Sequence, residues 1–179
     1  MTNPTTKTNW YVVTGGPSSG KTTTINLLKT RGYKTTIEHA RHYIETLQVS
    51  GKTVEEIKKN QVVFQQGVLD MQIAQEHALS PDDTVFLDRA IPDALAYYHF
   101  LGLPEDEKIH EAMSKVSYKK VFLLDPLPFV QDSVRTEDEV AQKNIHQLLT
   151  ETYESLPFPV IHVPVLPPDA RMNFILKNL

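Results

Sequence analysis

The chain contains no cysteine. Disulfides, thiolate zinc sites and cysteine nucleophiles are therefore excluded, and the composition suits a reducing cytosol. No apolar run approaches the ~20 residues that span a bilayer, and residues 1–9 are polar. The sequence accordingly reads as a soluble, cytoplasmic protein with no membrane partner. There is also no basic block: 18 Lys and Arg against 22 Asp and Glu give a net charge of -4 with both signs intermixed. No nucleic-acid footprint is expected from that balance, and a small-molecule partner is. Repeats, low-complexity tracts and linkers are missing as well. At 179 residues and 40% apolar content, the expectation is a single domain over residues 1–179 with one buried core. The sequence leaves open whether copies of the chain form a homo-oligomer.

Against these absences stands one complete motif, Gly15-Gly16-Pro17-Ser18-Ser19-Gly20-Lys21-Thr22. It follows the apolar run Trp10-Tyr11-Val12-Val13 and precedes a helical run from Thr23, the setting a phosphate loop requires. Its glycines let backbone N–H groups form a concave nest, and the helix that follows adds the positive end of its dipole. The pattern assigns Lys21 to the β- and γ-phosphates of a nucleotide and the Thr22 hydroxyl to Mg²⁺, with Thr23 completing the binding loop. A glycine-rich turn that binds nothing would not explain why lysine and threonine directly follow Gly20.

Strand and helix signals alternate beyond the loop. A helix is expected over 21–30, ended by Gly32, then a strand over 33–37 and a short helix over 39–47. Thr53-Val54-Glu55-Glu56 is a capping box, predicting one long helix to about Leu79. A strand over 84–87, helices over 93–101 and 105–116 and a strand over 120–124 follow. A second capping box at Thr136-Glu137-Asp138-Glu139 opens a helix to about Leu156, and a strand over 160–165 and a helix over 169–178 close the chain. Five strands alternating with helices give an α/β fold of three layers, a parallel sheet covered on both faces. In such sheets the ligand lies beyond the carboxyl ends of the strands, which singles out Glu38, Asp88-Arg89 and Asp125 beside the phosphate loop.

Asp88 closes Val85-Phe86-Leu87, an apolar run ending in an acid, where a carboxylate holds Mg²⁺; a plain acidic cap is the alternative. Its neighbour is Arg89 rather than the second acid that activates water in motor ATPases, and a fixed cation there suits a phosphate or a substrate carboxylate. Neither Asn-Lys-x-Asp nor a switch Asp-x-x-Gly occurs, which argues against a signalling GTPase. Glu38 is a candidate base or acceptor anchor, with a helix cap as the competing role. Arg41, one turn on, is a candidate substrate ligand. Arg135 is placed to fold over a γ-phosphate, whereas Lys143 reads better as a solvated surface charge. His39 and His42 are read as surface histidines rather than metal ligands. Tyr97, Tyr98, Phe100, Leu101 and Phe64 fit either a core or a stacking wall, and Asp93 either a substrate ligand or a helix-dipole partner.

Taken together, Gly15 to Thr22, Glu38-His39-Ala40-Arg41, Asp88-Arg89-Ala90-Ile91-Pro92-Asp93 and Gln131-Asp132-Ser133-Val134-Arg135 resemble the P-loop kinases of the AAA-type ATPase/kinase-like group. That group includes the ribosylnicotinamide kinase domain of the bacterial NAD regulator and is more distantly similar to deoxynucleoside and thymidylate kinases. The last motif departs from the group's Asp-Gly-x-Arg, since Ser133 stands in place of the glycine. The resemblance covers nearly the whole chain. It implies a sheet ordered 2-3-1-4-5, ATP with Mg²⁺, a small hydroxylated acceptor, and adenine packed near residues 164–168. It also implies catalytic roles for Lys21, Glu38, Asp88 and Arg135 and substrate contacts from Glu38, Arg41, Arg89 and Asp93. Some relatives act as nucleotide-binding regulators, so the expectation is a small-molecule kinase, with a regulatory module as the alternative.

Overall fold

The structure is a computed structural model and describes residues 6–40, 51–128 and 139–179. Five strands, β1 Trp10–Thr14, β2 Lys34–Thr35, β3 Val85–Asp88, β4 Lys120–Leu124 and β5 Val160–Val163, form one sheet in the order β2-β3-β1-β4-β5. All the pairings are parallel, with Val13 opposite Asp88 and Val121 opposite Val160. The central strands β1, β3 and β4 are largely apolar because both of their faces are covered.

Alternation along the strands divides the core in two. Trp10, Val12, Val85, Leu87, Val121 and Leu123 face one way, and Tyr11, Val13, Phe86, Phe122, Leu124 and Val163 the other. The first face is covered by α3 Gln61–Ala78, α4 Ile91–Phe100, α5 Glu107–Ser114 and α6 Glu139–Glu154 through Leu69, Tyr98, Ile109, Leu149 and Tyr153. On the second lie α1 Lys21–Thr30 and α7 Pro168–Lys177, which contribute Ile25, Leu28, Met172 and Ile175. Among the described residues, no helix is long and apolar enough to cross a membrane.

The sequence expectation fails where one helix was foreseen between Val54 and Leu79. The capping box at Thr53 is present, with its hydroxyl accepting from the Glu56 N–H, but α2 ends after six residues, Val54–Lys59. Asn60 then turns extended (φ -106°, ψ 93°) and its side chain caps α3 by accepting from Val63 N at 3.2 Å. An asparagine that satisfies a new helix's first N–H groups competes with continuing the old helix, which pattern alone does not weigh. β2 and β5 are also shorter than foreseen. His39 and Ala40 begin the expected short helix, whose remainder lies outside the described residues, as do the Thr136 capping box and the Gln131 to Arg135 motif.

Candidate functional site

β1 delivers the phosphate loop to α1, and the loop's glycines have separable reasons. A Cβ on Gly15 would meet Ser19 Oγ at 2.7 Å and the Leu124 carbonyl at 3.1 Å, so no larger residue fits there. Gly20 has φ +80°, a left-handed conformation, and leads into α1 with no side-chain cap. The first N–H groups of α1 therefore have no side chain from the N-cap to accept them, the arrangement that receives an anion. Gly16, Pro17, Ser18, Ser19, Gly20, Lys21, Thr22 and Thr23 line one end of a cavity of about 1060 Å³. Gly15 lies behind them and shapes the loop by packing.

The carboxyl ends of β2 and β3 bring charges together at this loop. Lys21 Nζ donates to Asp88 Oδ1 at 2.5 Å and lies 3.6 Å from Glu38 Oε2. Glu38 Oε1 is in turn 3.8 Å from Arg89 Nε, and Arg89 Nη1 is 4.0 Å from Asp93 Oδ1. The result is a row of alternating charge: Asp88, Lys21, Glu38, Arg89, Asp93. Burial pushes the Asp88 carboxyl above its usual range, and the charge and hydrogen bond of Lys21 pull it part of the way back. For Arg89, burial alone would lower the pKa. Tyr97, Asp93 and Glu38 outweigh it and hold the guanidinium charged.

Arg89 has φ +65°, a left-handed backbone that costs a non-glycine residue on the order of 1 kcal/mol. Neighbours hold it there: its N–H donates to the Val13 carbonyl at 3.1 Å and its carbonyl accepts from Gln72 Nε2 at 3.5 Å. The turn swings the guanidinium over the Tyr97 ring, 5.2 Å from its centroid. Asp93 is buried and engaged by the Thr14 hydroxyl at 2.5 Å, the Ala90 N–H at 3.0 Å and the Tyr153 hydroxyl. These bonds fix α4 against β1 and α6, and the same residue borders the cavity.

The cavity's far end is lined by Phe64, Gln65, Val68 and Gln72 of α3 and by Tyr97, Phe100 and Leu101 after Arg89. The aromatic stripe of the sequence thus divides, with Tyr98 in the core and Tyr97 and Phe100 at the cavity wall. Behind Gln72 lies Glu76, buried, accepting from Gln72 Nε2 at 3.2 Å, from the Tyr118 hydroxyl at 3.1 Å and from Ile91 N at 3.3 Å. Desolvation raises its carboxyl to about 7 against those hydrogen bonds.

His39 corrects the sequence reading: it is buried, 5% exposed, beside Glu38 on the cavity wall rather than on the surface. It opens a helix immediately after Glu38, in the segment that follows β2. Lys143 is exposed and pairs with Glu139 at 2.8 Å, as a solvated charge. Arg41, Arg135 and His42 lie outside the described residues. Sequence reasoning missed Thr36, whose hydroxyl accepts from Asp88 N at 2.9 Å, together with Gln72, Glu76, Gln142 and Arg171. None of these carries a local motif, and only the tertiary packing gives them a place at the site.

Among the described residues no group of three or more His, Asp or Glu side chains is arranged to hold a metal ion. The oxygen donors at the loop, the Thr22 hydroxyl and the buried Asp88 carboxylate, are the hard, sparse set that suits Mg²⁺, which takes its remaining ligands from water and phosphate.

A phosphate loop after the central strand of a parallel 2-3-1-4-5 sheet, with an acid at the end of the neighbouring strand, defines a P-loop NTPase of the kinase type. More specifically, the chain belongs to the AAA domain family, whose model matches residues 10–171. No curated protein matches the sequence. Among solved structures, it is similar to the NadR protein in complex with NR, with a TM-score of 0.68 and 18% identity over 95% of this chain. The match spans 51% of NadR, about half its length. Deoxyadenosine kinase from M. mycoides, with dCMP and dCDP bound, matches with a TM-score of 0.66 and 15% identity, over 94% of this chain and 97% of that one. Thymidylate kinase from Candida albicans matches with a TM-score of 0.58 and 16% identity, over 96% of this chain and 91% of that one. Likeness at these identities establishes the P-loop kinase fold.

Proposed function

We propose that this single domain is an ATP-dependent kinase that moves the γ-phosphoryl group of the nucleotide to a hydroxyl of a nucleoside-like small molecule. The observation that carries the reading is the position of Glu38. Its carboxylate lies against both Lys21 and Arg89 at the cavity wall, rather than serving only the helix that follows it. A carboxylate held between a phosphate-binding lysine and a substrate-facing arginine can accept the proton that an acceptor hydroxyl must lose.

In this reading the loop N–H groups and Lys21 bind the β- and γ-phosphates. With Lys21 turned to the phosphates, Asp88 and Thr22 would be the residues to hold Mg²⁺, which would supply charge neutralisation at the phosphates. The acceptor oxygen bonds to the γ-phosphorus, the bond from that phosphorus to the β–γ bridging oxygen breaks, and the hydroxyl proton passes to Glu38. Arg89 orients the acceptor, with Phe64, Tyr97 and Phe100 stacking on a flat ring and Gln65 and Gln72 meeting its polar edge. Asp93, fully engaged by Thr14, Ala90 and Tyr153, contributes by fixing that wall. Arg135 is assigned to the γ-phosphate and Arg41 to the acceptor on sequence alone. NadR and deoxyadenosine kinase, with NR and deoxynucleotides bound, support the acceptor class.

The test is incubation with Mg-ATP and a panel of nucleosides, nicotinamide riboside included, followed by mass analysis. A phosphorylated acceptor whose formation disappears in Lys21→Ala is the expected result. Tight nucleotide binding with no acceptor-dependent turnover across the panel would instead make the chain a regulatory module.

A further inference from the structure

A nest that binds phosphate must turn its N–H groups inward. In a trans peptide the carbonyl points the opposite way, so each inward N–H obliges an outward C=O. Those carbonyls face protein rather than water, and buried carbonyls need donors. The structure supplies donors for three of them, those of Pro17, Ser19 and Gly20. The Pro17 carbonyl accepts from Gln142 Nε2 of α6 at 2.9 Å, which directs the Ser18 N–H the other way. The Gly20 carbonyl accepts from Thr24, by its N–H and by its hydroxyl, both at 3.1 Å. The Ser19 carbonyl accepts from Arg171 Nη1.

Arg171 stands apart from the other two. It is 2% exposed on α7, far from the loop in sequence, and it serves four carbonyls at once. Nη2 also donates to Asp125 at 2.6 Å and to Val163 at 3.4 Å, and Nε to Pro164 at 3.2 Å. One planar fork therefore joins the phosphate loop, the end of β4 and the segment after β5. Burial lowers its pKa from the usual arginine value, with Asp125 opposing, and a guanidinium stays charged. Gly20 makes room for the fork: a Cβ there would stand 3.1 Å from Nη1.

We propose that Arg171 is a positioning residue for triphosphate binding, holding the Ser19–Gly20 peptide with its carbonyl outward and its N–H toward the phosphates. The charge matters as well as the geometry. A cation on the carbonyl oxygen polarises the peptide and makes its N–H a stronger donor to an anion. The inference rests on the loop as a nucleotide site but not on phosphoryl transfer.

The experiment is calorimetric titration of the whole chain with inorganic tripolyphosphate, with Mg-ATP and with adenosine, for wild type, Arg171→Met and Arg171→Lys. Thermal melts confirm folding, and the lysine variant keeps the charge while giving up the fork, so it decides the matter if the methionine variant does not fold. We expect tripolyphosphate affinity to fall about tenfold or more in Arg171→Met and about fivefold in Arg171→Lys, on the scale of a charge-assisted bond. Adenosine affinity should change less than twofold, a selectivity that general loosening of the fold would not give. Folded variants that bind tripolyphosphate within twofold of wild type would overturn the proposal, as would equal losses for tripolyphosphate and adenosine. Turnover missing from the wild type while these differences persist would remove the kinase reading and leave Arg171 in place.

Discussion

The two ends of the cavity are made of different material. At the phosphate end the ligand-facing groups are largely backbone, positioned by Gly15, Gly20 and the carbonyl donors behind the loop. The other end, where the proposed acceptor would lie, is made of side chains from α3 and α4, braced by the buried carboxyl groups of Glu76 and Asp93. A backbone site recognises a group common to all nucleoside triphosphates, and every protein that needs it solves the same peptide geometry. A side-chain site recognises one acceptor, and its residues are free to differ. The row Asp88, Lys21, Glu38, Arg89, Asp93 crosses the boundary between the two ends.

The largest effect is expected where the row meets the loop. Lys21→Ala removes the cation that lies against both Asp88 and Glu38 at the loop, and turnover should fall by about 10³ or more, the scale of losing a preorganised charged donor. Steady-state kinetics and nucleotide titration on the same preparation check this. Turnover within tenfold of wild type would erase the contrast between the two ends.

The next tests the bracing of the acceptor end. Glu76 has a carboxyl pKa of about 7 in the fold against an ordinary 4.5, so between these values the folded chain holds a proton that the unfolded chain has lost. Stability must then fall as pH rises through that window, by up to about 3 kcal/mol, and stay level above it. Urea melts from pH 4.5 to 8 should show that slope in wild type and a flatter one in Glu76→Gln. Equal slopes would mean that Glu76 ionises as it does in the unfolded chain.

Glu38 sits between the ends, and replacing it separates them. Glu38→Gln keeps the shape and removes the proposed base, so kcat should drop about 10², within the range for general base loss, while nucleotide affinity holds or improves as a negative charge leaves the proposed phosphate site. A raised nucleotide Kd with unchanged kcat would place Glu38 among the nucleotide ligands instead.

The contrast also explains what the sequence disclosed. Glycine spacing followed by Lys21-Thr22 encodes a backbone shape directly, and the apolar run into Asp88 encodes a strand end, so the phosphate end and the parallel sheet were legible. Phe64 and Tyr97 were visible only as aromatics at helical spacing, because Tyr98, one residue on, belongs to the core and nothing local separates the two. Asn60 is as good a cap as it is a surface residue, so the break between α2 and α3 went unseen. Arg171 and Gln142 reach the loop through hydrogen bonds to the Ser19 and Pro17 carbonyls, more than a hundred residues away, and backbone carbonyls leave no trace in a sequence.

The smallest effect separates two neighbouring glycines of the loop. At Gly15 an added Cβ meets Ser19 Oγ at 2.7 Å and, worse, the Leu124 backbone carbonyl at 3.1 Å. A side chain can rotate away, but a strand carbonyl cannot, so the loop itself must shift. Gly15→Ala should therefore cost about 2 kcal/mol, the usual scale of overpacking, and weaken nucleotide binding with it. At Gly16 the nearest atom is the Gln142 carbonyl at 3.6 Å, ordinary contact, and its φ is not in the left-handed range. Gly16→Ala should thus stay within about 1 kcal/mol of wild type, or gain slightly by restricting the unfolded chain. Chemical melts and nucleotide titrations of the pair decide it. Equal losses at both positions would show that the loop needs glycine for freedom to move during binding, rather than for the fixed shape that sets it apart from the acceptor end.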